Sequence, residues 1–192
     1  MSSEIHAIIL AAGASTRMGD TIKQLLPWKD GTLLGTAIER TTKVADKSLV
    51  ILGSNEEAIR PSLPSSSEIV VNPNWQKGMG SSISCGIGHI LKSGYNPDGI
   101  IILLPDQPFM DSDFLLQMKS LFLLGKHKIV ATNYGTNAGV PAIFDRSLFS
   151  ELTRLDKDFG AREIIKKHKK QVLAINPEGR EVDIDTLITY NQ

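Results

Sequence analysis

The chain is short of several things, and each shortage closes a route to function. It carries one cysteine, Cys85, in 192 residues. A single thiol cannot close an internal disulfide, so the composition fits a reducing compartment rather than a disulfide-stapled secreted domain. No apolar run approaches the roughly 18 residues that a membrane span requires. The N-terminus places Glu4 where a signal peptide carries basic residues. A cytoplasmic protein without a membrane anchor is expected. Net charge of either sign is also missing, with 21 Lys plus Arg against 21 Asp plus Glu. That balance argues against a wide basic face, and so against nucleic acid as a partner. His6, His89, His127 and His168 lack metal-ligand spacing. Two phosphate-binding motifs are absent as well. Five residues separate Gly13 from Gly19, with Asp20 next, which breaks the Walker A pattern, and no G-x-G-x-x-G occurs.

What is there alternates. Near-continuous apolar runs at 6–12, 48–53, 68–72, 99–105 and 128–134 read as strands covered on both faces, as in parallel sheets. Helical patterns fall between and after them, at 33–45, 80–91, 112–124 and 161–169, with Asp111 or Ser112 able to cap the third. Such alternation implies right-handed βαβ units and a three-layer α/β/α sandwich, mostly parallel and Rossmann-like. The run at 139–145 is expected to be antiparallel, because too little chain precedes it for a helical crossover. Length favours one domain spanning 1–192.

In such sheets ligands sit at the carboxyl ends of strands, which is where the stretch "IILAAGASTRMGDTIKQLLPW" (8–28) would lie. Its small residues allow backbone N–H groups to approach an anion. Arg17 adds a planar fork suited to phosphate oxygens and Lys23 a compact charge. On the residues alone, a tight turn with two solvated cations fits equally well.

At this point the chain resembles the molybdenum cofactor cytidylyltransferases. They belong to the nucleotidyltransferases of glycosyltransferase-A-like (nucleotide-diphospho-sugar transferase-like) fold and are related to molybdopterin guanylyltransferases. The matching stretches are "LAAGASTRMG" with Lys23, "LLPW", "TLL", "NPNWQKGMGSSISCG", "PDQPF", "FGAR" and "VDIDT", in order along nearly the whole chain. The resemblance implies transfer of CMP from CTP to the terminal phosphate of molybdopterin, with release of pyrophosphate, dependent on Mg²⁺. It implies nucleotide contacts from Leu10, Ala11, Ala12, Gly13, Arg17, Lys23, Gly80 and Ser82, with Arg17 and Lys23 catalytic. Asp106 and Asp185 would hold the metal, and Trp75, Gln107, Gly139, Pro141 and Arg162 would face the acceptor. Leu10-Ala11-Ala12-Gly13, where guanylyltransferases carry Leu-Ala-Gly-Gly, points to CTP.

The chain departs from that pattern at Val140, where the family has His or Asn, and at Lys157, where it has Gly. Both places bear on the acceptor. Other readings of individual residues stay open. Asp106 suits a turn, Asp185 could cap a helix at "TLITY", and Trp75 or Trp28 could anchor loops rather than stack on a base or pterin. Competing functions are nucleotidyl transfer from GTP or to a sugar or polyol phosphate, and non-catalytic carriage of molybdenum cofactor to a molybdoenzyme client.

Overall fold

The computed structural model describes residues 3–19, 21–156, 160–186 and 190. Its centre is β1 (Ile5–Leu10), buried at every position. The chain then forms a small antiparallel hairpin, β2 (Pro27–Trp28) and β3 (Gly31–Thr32), before helix α1 (Leu33–Thr42). The Thr32 hydroxyl accepts the Gly35 N–H and caps that helix. β4 (Lys47–Leu52), the short helix α2 (Glu56–Ile59), β5 (Glu68–Val71), α3 (Met79–Lys92) and β6 (Gly99–Leu103) follow. The remainder is α4 (Ser112–Leu123), β7 (Ile129–Asn133), β8 (Ala138–Asp145), α5 (Phe149–Leu152), α6 (Ala161–Lys167) and β9 (Val172–Ile175).

The strands make a seven-stranded sheet in the order β5-β4-β1-β6-β8-β7-β9. All neighbours are parallel except β8, which runs antiparallel to both β6 and β7. The expected antiparallel strand is therefore present. Alternation along β1 divides the core. Ile5, Ala7 and Ile9 face a cluster with Leu34, Phe114 and Met118, from α1 and α4. Ile8 and Leu10 face Ile83, Ile87 and Ile164, from α3 and α6. Helices thus cover both faces, which explains the unbroken apolar character of the inner strands.

The predicted helices at 80–91 and 112–124 form within a residue of expectation, and Asp111 is the cap, accepting the Phe114 N–H. The β2–β3 hairpin, the edge strand β9 and the one-turn helices α2 and α5 went unpredicted. The departure at Lys157 lies outside the described residues, as do residues 187–189 of the expected C-terminal helix. From β1 the chain winds outward through β4 to β5, then returns to β1's other side as β6. That reversal sets the switch point between β1 and β6, where a ligand crevice belongs.

Candidate active site

A cavity of about 500 Å³ opens at this switch point. The loop after β1 supplies one wall, through Ala12, Gly13 and Arg17, and the end of β6 supplies another, through Asp106. Trp75 and Ser82 close the far side.

The loop is shaped by a buried side chain, Gln24. Its amide donates to the carbonyls of Ala11 and Gly13, each at 3.1 Å, and its oxygen accepts from the Ser15 hydroxyl at 3.1 Å. That hydroxyl in turn accepts the Lys23 N–H at 3.2 Å. Ser15 sits at φ 55°, a left-handed conformation that a small polar residue tolerates. With its carbonyls occupied, the loop keeps a fixed form beside the cavity. Gly53 allows this packing, since a Cβ there would fall 2.7 Å from both the Ala12 carbonyl oxygen and the Trp75 Cβ.

Charge gathers at the cavity's edge. The Lys23 ammonium donates to Asp106 Oδ2 at 2.6 Å and to Asp185 Oδ1 at 2.9 Å. Arg17 donates to Asp185 Oδ2 at 2.8 Å, although its own side chain is largely exposed. Asp185 reaches the site because the Ile184 N–H donates to the Asp106 carbonyl at 2.8 Å, stitching the C-terminal segment to the β6 loop. Ile184 then anchors the segment in a small core with Met18, Leu26 and Leu33, against which Trp28 packs. Trp28 is therefore a packing residue.

The electrostatics follow from this geometry. Burial pushes the Lys23 ammonium towards neutrality, but the adjacent Asp106 and Asp185 outweigh it and hold its pKa above the ordinary value. Burial would raise Asp185, yet Lys23 and Arg17 hold it below the usual carboxylate value. Asp183, two residues before Asp185 in "VDIDT", is raised by burial and by the negative charges of Asp106 and Asp185. It accepts from the Gln107 amide at 2.9 Å, and the same amide donates to the Tyr134 hydroxyl at 2.7 Å.

Arg40, unanticipated from the sequence, holds the β6 loop from beneath. It is buried and donates to the carbonyls of Gln107 at 2.7 Å and Met110 at 2.6 Å. Burial lowers its pKa to about 10, which leaves it a cation at neutral pH.

Of the residues singled out in the sequence, Leu10, Ala12, Gly13, Arg17, Lys23, Trp75, Ser82, Asp106 and Asp185 line the cavity. Ala11 lies just behind it in the core. Gly80 is buried in the first turn of α3, while Ser82 accepts from Asn72 at 3.0 Å. Gln107 points away from the cavity towards Tyr134 and Asp183. Gly139 and Pro141 are buried within β8, with Gly139 against the Tyr134 ring. Arg162 lines a second cavity beside α6. Cys85 behaves as a half-buried small hydrophobe whose thiol is pushed up by burial.

One observation bears on a metal. Asp106 Oδ1 is buried and has no hydrogen-bond partner among the described residues. An ionised carboxylate oxygen left bare in this way suits a cation that arrives with a ligand. Among the described residues no group of three or more His, Cys, Asp or Glu side chains could hold a metal. One or two carboxylates completed by phosphate oxygens and water is the way Mg²⁺ is commonly bound. The residues present fit such an ion.

A mainly parallel open sheet, a tight small-residue loop after its central strand, and paired cations and carboxylates at its carboxyl edge define an α/β protein built around an anionic ligand. The description "MobA-like NTP transferase domain" matches residues 7–172, and the chain belongs to that family. A nicotine blue oxidoreductase of Paenarthrobacter nicotinovorans is 36% identical over 108 residues, 54% of this chain and 50% of that protein. The molybdenum cofactor cytidylyltransferase of Escherichia coli is 34% identical over 87 residues, 44% of this chain and 45% of that enzyme. The chain thus spans about half the length of these curated relatives. The crystal structure of Rv0371c from Mycobacterium tuberculosis covers the whole chain and 97% of its own, with a TM-score of 0.81 and 28% identity. A second structure of Rv0371c, a complex with manganese, gives a TM-score of 0.76 at 25% identity, covering 100% of this chain and 97% of its own.

Proposed function

We propose that the chain transfers the CMP group of CTP to the terminal phosphate of a molybdopterin-type acceptor, acting in the cytoplasm as a single nucleotidyltransferase domain. The observation that carries this reading is the cluster of Lys23, Asp106 and Asp185 at the mouth of the cavity, with one Asp106 oxygen bare. In the reaction an acceptor phosphate oxygen attacks the α-phosphorus of CTP. The bond from that phosphorus to the bridging oxygen breaks, and pyrophosphate leaves with the bond's electrons. No protein nucleophile is required, so catalysis rests on positioning and charge stabilisation.

The chain's residues divide this work. The loop held by Gln24 receives the nucleotide, with Ala12 beside the base. Lys23 exchanges its carboxylate partners for an α-phosphate oxygen, where negative charge builds. Arg17, largely exposed at the cavity, takes the departing β,γ-phosphates. Asp106 and Asp185 would hold Mg²⁺, which when bound offsets phosphate charge. Arg162, Trp75, Gln107, Gly139 and Pro141 belong to the acceptor side in this reading, with Gln107 acting through Asp183 and Tyr134.

The test is pyrophosphate release with CTP or GTP, each offered molybdenum cofactor, a sugar phosphate or a polyol phosphate. Release confined to CTP with molybdenum cofactor supports the reading. Release with another acceptor replaces the substrate, and tight cofactor binding with no release in any combination replaces transfer by carriage to a client.

A further inference from the structure

A second cavity, of about 400 Å³, lies between α6 and the edge strand β9. Its floor is apolar, formed by Ile165, Val172 and Ala174, and Ala174 is exposed at the base. Its rim carries three cations, Arg162, Lys166 and Lys169. No carboxylate lines it, and none of the three rim cations is ion-paired among the described residues. This contrasts with the neighbouring Lys167, which pairs with Glu151 at 2.6 Å. Three positive charges thus meet around a cavity with no carboxylate in its lining.

Thr136, Asn137 and Ala138 close the cavity on the side of β8, and Val172 and Ala174 of β9 reach it from the free margin of the sheet. β9 stands last in the strand order and pairs, among the described residues, with β7 alone. Its outer backbone N–H and C=O groups are a template for another strand. The spacing of the cations suits the same guest. Three residues of helix or 3-10 turn advance about 4.5–6 Å, the scale that separates Lys166 from Lys169. Alternate side chains on an extended strand are about 6.6 Å apart, so carboxylates at every second position meet successive cations.

We infer that the open side of the cleft, at Lys166, Lys169 and β9, is a docking site for an extended, acidic segment of a partner protein, which adds to the edge of the sheet while its carboxylates meet Lys166 and Lys169. Backbone pairing supplies affinity and the cationic rim supplies selectivity. A compact anion would use the cations and leave the strand edge idle; a strand uses both. The inference does not depend on the nucleotide or acceptor proposed above.

The experiment uses the full chain and a heptapeptide alternating glutamate and valine, labelled for fluorescence anisotropy, with NMR amide mapping on the isotope-labelled chain. Saturable binding is expected, with shifts along 172–175 as well as α6. Reversal of the exposed pair, Lys166→Glu with Lys169→Glu, should weaken it roughly tenfold or more. The same peptide N-methylated at alternate residues keeps its charge but loses its donors, and should also bind at least about tenfold less. Equal binding of the methylated peptide, or shifts confined to α6, would overturn strand addition. Inorganic pyrophosphate competing fully at equal concentration would overturn it in favour of a small-anion site. No binding of the parent peptide at low salt would also overturn it, since screening cannot then be the cause.

Discussion

Replacing Lys23 by methionine should have two opposite effects, and their opposition is what makes the substitution informative. Methionine keeps the length and apolar stem while deleting the ammonium. In turnover the loss is of a charge at the developing oxyanion, comparable to removing one preorganised donor, which costs roughly 10²–10³ in rate. In the resting site the loss is of a cation that bridges Asp106 and Asp185 at 2.6 and 2.9 Å. Hydrogen bonds to charged groups contribute about 1.5–3 kcal/mol each. Asp185 is 39% exposed, so solvent screening discounts its share, and part of the remainder is already spent on desolvating the ammonium. A net of about 1–2 kcal/mol then remains for a competing cation to displace, which corresponds to a factor of roughly 5–30 in its affinity. Mn²⁺ titration without nucleotide, followed by electron paramagnetic resonance, should therefore show tighter binding to Lys23→Met than to the parent chain. Steady-state pyrophosphate release should fall in the same variant. Unchanged or weaker Mn²⁺ binding would refute the idea that the ammonium fills the cation position. Near-normal turnover would refute its role at the α-phosphate.

Other consequences can be checked separately. On the proposed placement of the base beside Ala12, Ala12→Gly should shrink a CTP over GTP preference in calorimetric titration by a factor consistent with about 1–3 kcal/mol for one methyl group. Gly53→Ala drives a Cβ into the Ala12 carbonyl and Trp75, and urea unfolding should show a loss of about 1–3 kcal/mol from overpacking. Asp106→Asn keeps the shape but removes the bare anionic oxygen and one of the two carboxylate partners of the Lys23 ammonium, so Mn²⁺ binding should be abolished and thermal stability should fall. Burial would raise Asp111, but the Phe114 N–H and Arg180 outweigh it and depress its pKa below 3.8. Its ionised form therefore stabilises the fold above that unfolded value, and the contribution is lost as pH falls through the depressed folded value. Asp111→Asn retains a cap but cannot titrate, so its urea midpoint should fall less steeply below about pH 4 than that of the parent.

The inner sheet was legible because its strands are buried on both faces and spell themselves out as apolar runs, β1 and β6 above all. β9 was not, because four residues following a lysine-rich stretch acquire strand form only by pairing with β7. The hairpin of Pro27–Trp28 with Gly31–Thr32 is shorter still, and no period can be read from two residues. At the site, Lys23, Asp106 and Asp185 could be picked out as residue types at suggestive places. Their meeting depends on the Ile184 N–H to Asp106 carbonyl bond, which no local pattern announces. Gln24 and Arg40 were invisible for a related reason. Each is a polar side chain whose burial makes sense only once the distant carbonyls it satisfies are in place. Gln107 was read as an acceptor contact, and the bonds of its amide to Asp183 and Tyr134 were not legible in the sequence.

The bond between Arg17 and Asp185 joins residues 168 positions apart. During synthesis at about 5–20 residues per second, the first partner waits roughly 8–34 s for the second to be made. The glycine-containing loop, β1 and Asp106 can be in place well before then, yet the second carboxylate is still missing. A nascent chain that has not yet reached residue 185 therefore has a cavity without the carboxylate that pairs with Arg17 and Lys23. Strand β1, its loop and β6 are all made before the second carboxylate that meets Lys23.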